Sequence, residues 1–136
     1  MNSTIILNVG LNVGTNNALR VNETMLDREM KTYAIGYFKK IPVRIPEGET
    51  FTYYNETKVF EDTNIYIFGD NTPYFGEIEI KELCERYGQV CIPFKRYDEN
   101  LLPIYSALIY SPNATKEQRE MYGTFQNEYF CNPFKF

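Results

Sequence analysis

Phe75–Arg96, FGEIEIKELCERYGQVCIPFKR, decides the fold, because several local signals in it agree on one unit. Ile80, Leu83, Cys84 and Tyr87 fall at i, i+3, i+4 and i+7, one apolar stripe on a helix, with Glu77, Glu79, Glu82 and Glu85 mostly off it. Gly88 sits where a helix needs a left-handed residue to stop. Val90–Phe94 then reads as a short buried strand closed by Pro93. A helix feeding a core strand is therefore the unit around which the chain is built.

Working upstream, Gly69-Asp-Asn-Thr-Pro is the loop that delivers the chain to this helix, and Ile65–Phe68 is a continuous apolar strand. Phe51–Glu61 is a more polar strand. From Ile35 the period is two, with Ile35, Tyr37, Ile41, Val43 and Ile45 on one face. Pro42 and Pro46 cannot donate to a ladder, so this strand must be an edge or end early. Asn22 is placed to cap a first helix over 22–33, with Val21 and Leu26 as a hydrophobic staple. Thr4–Val13 alternates Leu7, Val9, Leu11 and Val13 against Asn8, Gly10 and Asn12, which reads as a central strand. Gly10 and Gly14 make no phosphate loop, since no Gly-Lys-Ser/Thr follows.

Downstream, Tyr97-Asp-Glu-Asn is a turn, and Pro103–Tyr110 is a strand pair or one extended segment. Ser111-Pro112 reads as an N-cap and N1 pair opening a short helix that Gly123 stops. Phe125, Tyr129, Phe130, Phe134 and Phe136 make the end of the chain too apolar to float in water, so it should pack on its own domain or on a second subunit. The order of elements is the βαββαβ pattern of a ferredoxin-like α+β sandwich, with an extended β-hairpin at 35–61 and a C-terminal aromatic arm. With 136 residues and no linker or repeat, residues 1–136 form a single domain.

Composition narrows the function. The chain has no histidine, which removes Ser-His-Asp and Cys-His nucleophilic sites and His-ligated metals. No cofactor or metal is expected, and the protein is expected not to be an enzyme. A net charge of −4 argues against a grip on nucleic acid, which needs clustered Lys and Arg. Three cysteines, Cys84, Cys91 and Cys131, without C-x-x-C spacing read as buried thiols of a reducing compartment. No apolar run is long enough for a membrane span and Met1–Leu7 is not a signal peptide, so a cytoplasmic protein with no membrane partner is expected.

The carboxylates of the 77–85 helix, separated by Lys81 and flanked by Arg86, have the look of a solvated face. Asp70, Glu61 and Asp62 near strand ends could pair as acid and base, although nothing in their spacing requires it. Arginine is the side chain best shaped for phosphate, through its planar fork. Arg20 and Arg28 flank the start of the first helix and Arg96 follows the core strand. An aromatic ring beside a turn can stack on a base, which makes Tyr97, Tyr122 and Phe125 the better-placed rings.

Three patches resemble a group of small phage and prophage proteins: the opening Leu7-Asn-Val-Gly-Leu, Gly88-Gln-Val-Cys-Ile-Pro-Phe after an acidic helix, and Gly123-Thr-Phe-Gln-Asn-Glu-Tyr-Phe, where Tyr122 stands in place of a tryptophan. They cover about a third of the chain. Proteins of this kind look similar to the phage anti-defence proteins that sequester cyclic ADP-ribose signals of the Thoeris system, compact oligomers that hold the messenger without degrading it. The resemblance implies a homodimer or higher homo-oligomer that captures a small nucleotide-type ligand, with arginines on phosphates, an aromatic ring on the base, and amides on the riboses. Gln89, Arg96, Tyr122, Phe125, Arg20 and Arg28 are the ligand-binding candidates on chemical grounds. The alternative is a protein-binding inhibitor of a bacterial defence effector, of the anti-CRISPR kind. A metal-dependent nucleotide hydrolase using Asp and Glu ranks third.

Overall fold

The computed structural model describes residues 3–12, 20–44, 62–70 and 75–123. Strand β1 (Ser3–Gly10) is followed by α1 (Glu23–Tyr33), β2 (Phe38–Val43), β3 (Thr63–Asp70), α2 (Glu77–Arg86), β4 (Cys91–Tyr97), β5 (Pro103–Tyr110) and α3 (Lys116–Gly123). The strands form one sheet in the order β2-β3-β1-β4-β5, every neighbouring pair antiparallel. With β5 set aside, this is the ferredoxin-like arrangement expected of βαββαβ, and β1 is central. Of the expected 35–61 hairpin, only β2 is among the described residues. Its second arm, 51–61, and the C-terminal arm from residue 124 lie outside them.

Alternation fixes the layers. Ile5, Leu7 and Val9 of β1 are fully buried and lie in register with Phe68 and Tyr66 of β3 and Phe94 of β4, so these side chains share the face that α1 and α2 cover. Leu26 and Met30 of α1 and Ile80, Leu83 and Cys84 of α2 close the core from the helix side. Phe75 stands at its centre, with ring centroids 4.7 Å from Tyr33, 5.3 Å from Phe68 and 6.5 Å from Phe94.

The helix boundaries follow from their caps. Asn22 Oδ1 accepts from Met25 N–H at 3.1 Å, and the flanking Val21 and Leu26 are both buried, so the capped and stapled start of α1 is as expected. In α2 the carboxylate of Glu79 reaches back to accept from Gly76 N–H at 2.9 Å. At its far end Gly88 adopts φ +62° and Gln89 N–H donates to Cys84 O at 2.8 Å, the closing bond of a Schellman stop. Pro93 does not close the strand after it. Strand β4 runs on to Tyr97, and its ladder to β1 takes up only from Phe94, just past the residue that lacks an N–H.

Three further expectations need adjusting. Pro103–Tyr110 is one strand, paired along β4 with an irregularity at Arg96/Tyr97. The last helix starts at Lys116, not at Pro112, because Thr115 and Gln118 cap it reciprocally: Gln118 N–H donates to Thr115 Oγ1 at 3.1 Å and Thr115 N–H to Gln118 Oε1 at 2.9 Å. Ser111 instead accepts from Ala114 N–H in a turn. Among the described residues strand β2 is an edge, in keeping with Pro42, and it is tied to α1 by Lys40, whose ammonium lies 2.8 Å from Asp27 Oδ2. Close approach fixes one glycine: a Cβ on Gly69 would stand 2.7 Å from Ile35 O.

Candidate functional site

The stop of α2 and the start of β4 form one wall of an open cleft of about 230 Å³. Cys84, Glu85, Gly88, Gln89 and Val90 line that side, and Ser111, Asn113, Ala114 and Gln118 line the other. The sequence builds it simply. Gly88 turns the chain so that Gln89 points inward, while Ser111 N–H donates to Val90 O at 2.9 Å and holds the end of β5 against the start of β4. The chain then crosses to α3 through the Ser111–Ala114 turn, which leaves a gap between α2 and α3.

Gln89 is buried and its amide is fully engaged. Its Oε1 accepts from Gly10 N–H at 3.0 Å, and its Nε2 donates to Gly10 O at 2.8 Å and Tyr87 O at 3.1 Å. It thus continues the sheet at the end of β1, pairing with Gly10 as a neighbouring strand would. Asn12, held at φ +59°, donates to Tyr87 O at 3.1 Å and completes this floor. Glu85 is an exposed carboxylate at the cleft, and Asn113 is an exposed amide. No lysine or arginine is among the described residues lining it. Cys84 is buried, and its thiol is pushed up to about 12 by loss of water and by the nearby Glu85 charge. It is a packing residue, not a nucleophile.

The other end of the core strand carries Arg96. Its guanidinium donates to Ser3 Oγ at 2.7 Å, Asp70 Oδ2 at 3.2 Å and Phe75 O, and stands 5.7 Å from the Phe94 ring centroid. Asp70 is 2% exposed at its side chain, so this is an interior ion pair that binds the starts of β1 and α2 to the end of β3. Seven residue steps along β1 lead from Ser3 to Gly10, a rise of about 23 Å, so Arg96 and Gln89 serve opposite ends of the sheet. Arg20 is exposed just before Val21, whose N–H bonds Leu11 O at the Gln89 end. Arg28 is exposed on α1, and Tyr122 is half-buried on α3. Phe125 lies outside the described residues.

Two other polar clusters hold α1 in place. Tyr66, fully buried in β3, donates to Asp27 Oδ1 at 2.6 Å, and Asn64 Nδ2 donates to Glu23 Oε2 at 2.9 Å. Burial and the Asp27 carboxylate both push the Tyr66 hydroxyl far above its ordinary value, so it stays a proton donor. Hydrogen bonds from Lys40 and Asn64 lower Glu23, and Arg44 adds an ion pair at 3.0 Å. Between the helices, Glu29 accepts from Tyr87 at 2.7 Å and from Arg86. Each of these clusters is spent on structure, whereas the cleft presents Glu85 and Asn113 outward.

Comparison with known proteins adds one finding. No protein-family model matches the chain, and no curated protein sequence matches it. Among solved structures, it is similar to a phage SAM lyase in complex with S-methyl-5'-thioadenosine, at 16% sequence identity and a TM-score of 0.53, over 84% of this chain and 93% of that one. The likeness is one of fold. It overturns the expectation that the chain is not an enzyme, because the architecture that composition set aside as non-catalytic is one on which a lyase is built. The likeness is to a phage protein, as the sequence patches implied, but to one concerned with an adenosine thioether and not with the Thoeris signal.

Sequence reasoning marked Gln89 from its place after the helix stop. It missed Glu85, Ser111, Asn113 and Gln118. Glu85 stands among solvated carboxylates in the sequence, and Ser111-Pro112 has the pattern of a helix start, which masks the turn. The signal that could have found them is Thr115-x-x-Gln118, a capping box that moves the helix start and frees the turn.

Proposed function

We propose that this is a phage-type anti-defence protein that binds an adenosine-type ligand in the Gln89–Asn113 cleft and acts on S-adenosylmethionine. The observation that carries this reading is the chemistry of the cleft: one carboxylate, several amides and no described cation, in a fold similar to that of a SAM lyase. A cyclic ADP-ribose signal brings phosphates and would call for converging arginines, yet Arg96 is engaged inside the protein, Arg28 stands apart on α1, and Arg20, exposed at the Gln89 end, is not among the residues lining the cleft. S-adenosylmethionine brings a sulfonium cation instead. A chain of net charge −4 with Glu85 at the cleft attracts such a ligand.

Loss of histidine is no obstacle to this chemistry. When the bond between the sulfonium and the aminobutyrate carbon breaks, the electron pair moves to sulfur, which departs as a neutral thioether and needs no proton from an acid. The four-carbon fragment closes on its own carboxylate as a lactone, a C–O bond forming as the C–S bond breaks, so no proton acceptor, water or second reactant is needed. In this scheme Glu85 faces the cation, the amide of Asn113 meets the adenosine part, and Gln89 keeps the floor rigid. The cleft is smaller than the ~300–1,000 Å³ that encloses a drug-sized molecule, so it would hold one part of the ligand and leave the rest at its mouth. Removal of the host's methyl donor would deprive methylation-dependent defences.

Isothermal calorimetry with S-methyl-5'-thioadenosine, S-adenosylmethionine and a cyclic ADP-ribose isomer tests the ligand class. Binding of the two sulfur compounds, weakened in Glu85→Gln for the cationic one alone, is the expected result. Binding of the cyclic ADP-ribose isomer alone would overturn the reading.

A further inference from the structure

The Glu29 cluster is spent on structure, and the structure it holds is the end of α2 that carries the cleft. Glu29 lies on α1 with its side chain 17% exposed, and three donors converge on it. Tyr33 donates from the same helix at 3.2 Å, while Tyr87 at 2.7 Å and the Arg86 guanidinium donate from the end of α2. Tyr87 is where two networks meet. Its ring is buried, and burial together with the Glu29 carboxylate pushes its hydroxyl far up, so it stays a proton donor. Its carbonyl is one of the last of α2, which have no partner within a helix. That oxygen accepts from Gln89 Nε2 at 3.1 Å and from Asn12 Nδ2 at 3.1 Å. Gln89 lines the cleft, Asn12 completes its floor, and Glu85 stands two residues before Tyr87.

Building on the reading of this cleft as an adenosine site, we propose that Glu29 is a positioning residue for it: Glu29 fixes the Tyr87 hydroxyl and, through the Tyr87 carbonyl, the amides of Gln89 and Asn12. A helix end frays readily, because its closing carbonyls lack the bonds of the interior. An anchor on a neighbouring helix removes that freedom, and a binding group is only as well placed as the residues that support it. Position along α1 separates this role from simple helix packing. Asp27, two residues earlier, also accepts from a buried tyrosine, Tyr66 at 2.6 Å, and from Lys40 at 2.8 Å, but these partners belong to β3 and β2. Loss of Asp27 therefore loosens α1 without touching the floor, whereas loss of Glu29 releases the floor itself.

The test combines calorimetry with S-methyl-5'-thioadenosine and amide hydrogen exchange at Gly10, whose N–H donates to Gln89 Oε1 at 3.0 Å, in Glu29→Ala, Glu29→Gln, Tyr87→Phe and Asp27→Ala. Glu29→Ala and Tyr87→Phe should weaken binding about tenfold and speed Gly10 exchange by a similar factor relative to the rest of β1. Glu29→Gln keeps an acceptor for Tyr87, so both readouts should return close to wild type although the Arg86 ion pair is gone. Asp27→Ala should lower the unfolding midpoint with neither readout changed. If the wild type does not bind the thioether, the adenosine reading fails and Gly10 exchange alone decides the role of Glu29. Gly10 exchange unmoved in Tyr87→Phe, a Glu29→Gln protein as impaired as Glu29→Ala, or equal losses in Asp27→Ala would each overturn the proposal.

Discussion

Polar residues gather at both ends of β1 and are used differently. At the Ser3 end, Arg96, Asp70 and Ser3 bond one another and Phe75 O, so charge is consumed inside the protein. At the Gly10 end, Gln89 is also consumed, but it forms the floor of an open cleft whose rim still presents Glu85 and Asn113. A buried charge that has found its partner is architecture. A charge left facing an unfilled space is where a ligand of opposite sign can be bound. The difference separates two residues, Arg96 and Gln89, that the sequence placed in one candidate site.

Asp70 separates the two ends most sharply. Asp70→Ala leaves the Arg96 guanidinium without its carboxylate, and breaking such an interior pair costs ~3–5 kcal/mol. Urea unfolding of this variant should show a midpoint far below that of the wild type, while its folded fraction keeps the same affinity for S-methyl-5'-thioadenosine. An intact midpoint with lost affinity would make the Arg96 end the ligand site.

Gln89→Ala should be next in size. It leaves the N–H and C=O of Gly10 without side-chain partners, at a cost of ~1–3 kcal/mol. Unlike Asp70→Ala, it should lower both the unfolding midpoint and ligand affinity, because the floor of the cleft moves with it. Amide hydrogen exchange at Gly10 would report the loss directly.

Away from both ends, the α1–β2 clasp should set the pH range of stability. Glu23 is held below its ordinary value by the hydrogen bonds of Lys40 and Asn64, so its contribution is complete above about 4.5 and is lost as pH falls through its folded pKa. Burial pulls Lys40 down, but its bonds to Asp27 and Glu23 more than offset this and hold it above 10.5, so its contribution is lost as pH rises through that higher value. Melting temperature measured across pH should show a plateau between these limits, and Lys40→Met should flatten both flanks.

Smallest in stability is Glu85→Gln. Glu85 is exposed, so the midpoint should move by no more than about 0.5 kcal/mol in free energy. Its ligand effect should be large by contrast, which is the reverse of the pattern at Asp70.

Much of the fold was legible because the deciding signals are local. The apolar stripe of α2, the positive φ at Gly88 and the Asn22 cap each act within one turn, and the βαββαβ order follows from them. The run of β4 past Pro93 was not legible, because a proline ends a strand only if its missing donor faces a neighbour, and that depends on where the ladder to β1 begins. The candidate site was half legible. Gln89 could be marked as a residue at a junction, but its role as a bridge to Gly10 joins residues 79 positions apart. Arg96 illustrates the same gap: nothing near it in the sequence shows that Asp70 and Ser3 await it. The cleft itself depends on a turn that a stronger cap, Thr115 with Gln118, holds out of the last helix.

Incubation of the purified chain with S-adenosylmethionine, followed by mass spectrometry of the small molecules, tests the central claim most directly. S-methyl-5'-thioadenosine should accumulate in proportion to protein and time, with Glu85→Gln slowed and folded Asp70→Ala unaffected per folded molecule. Recovery of all the S-adenosylmethionine unchanged, with no thioether formed, would contradict it.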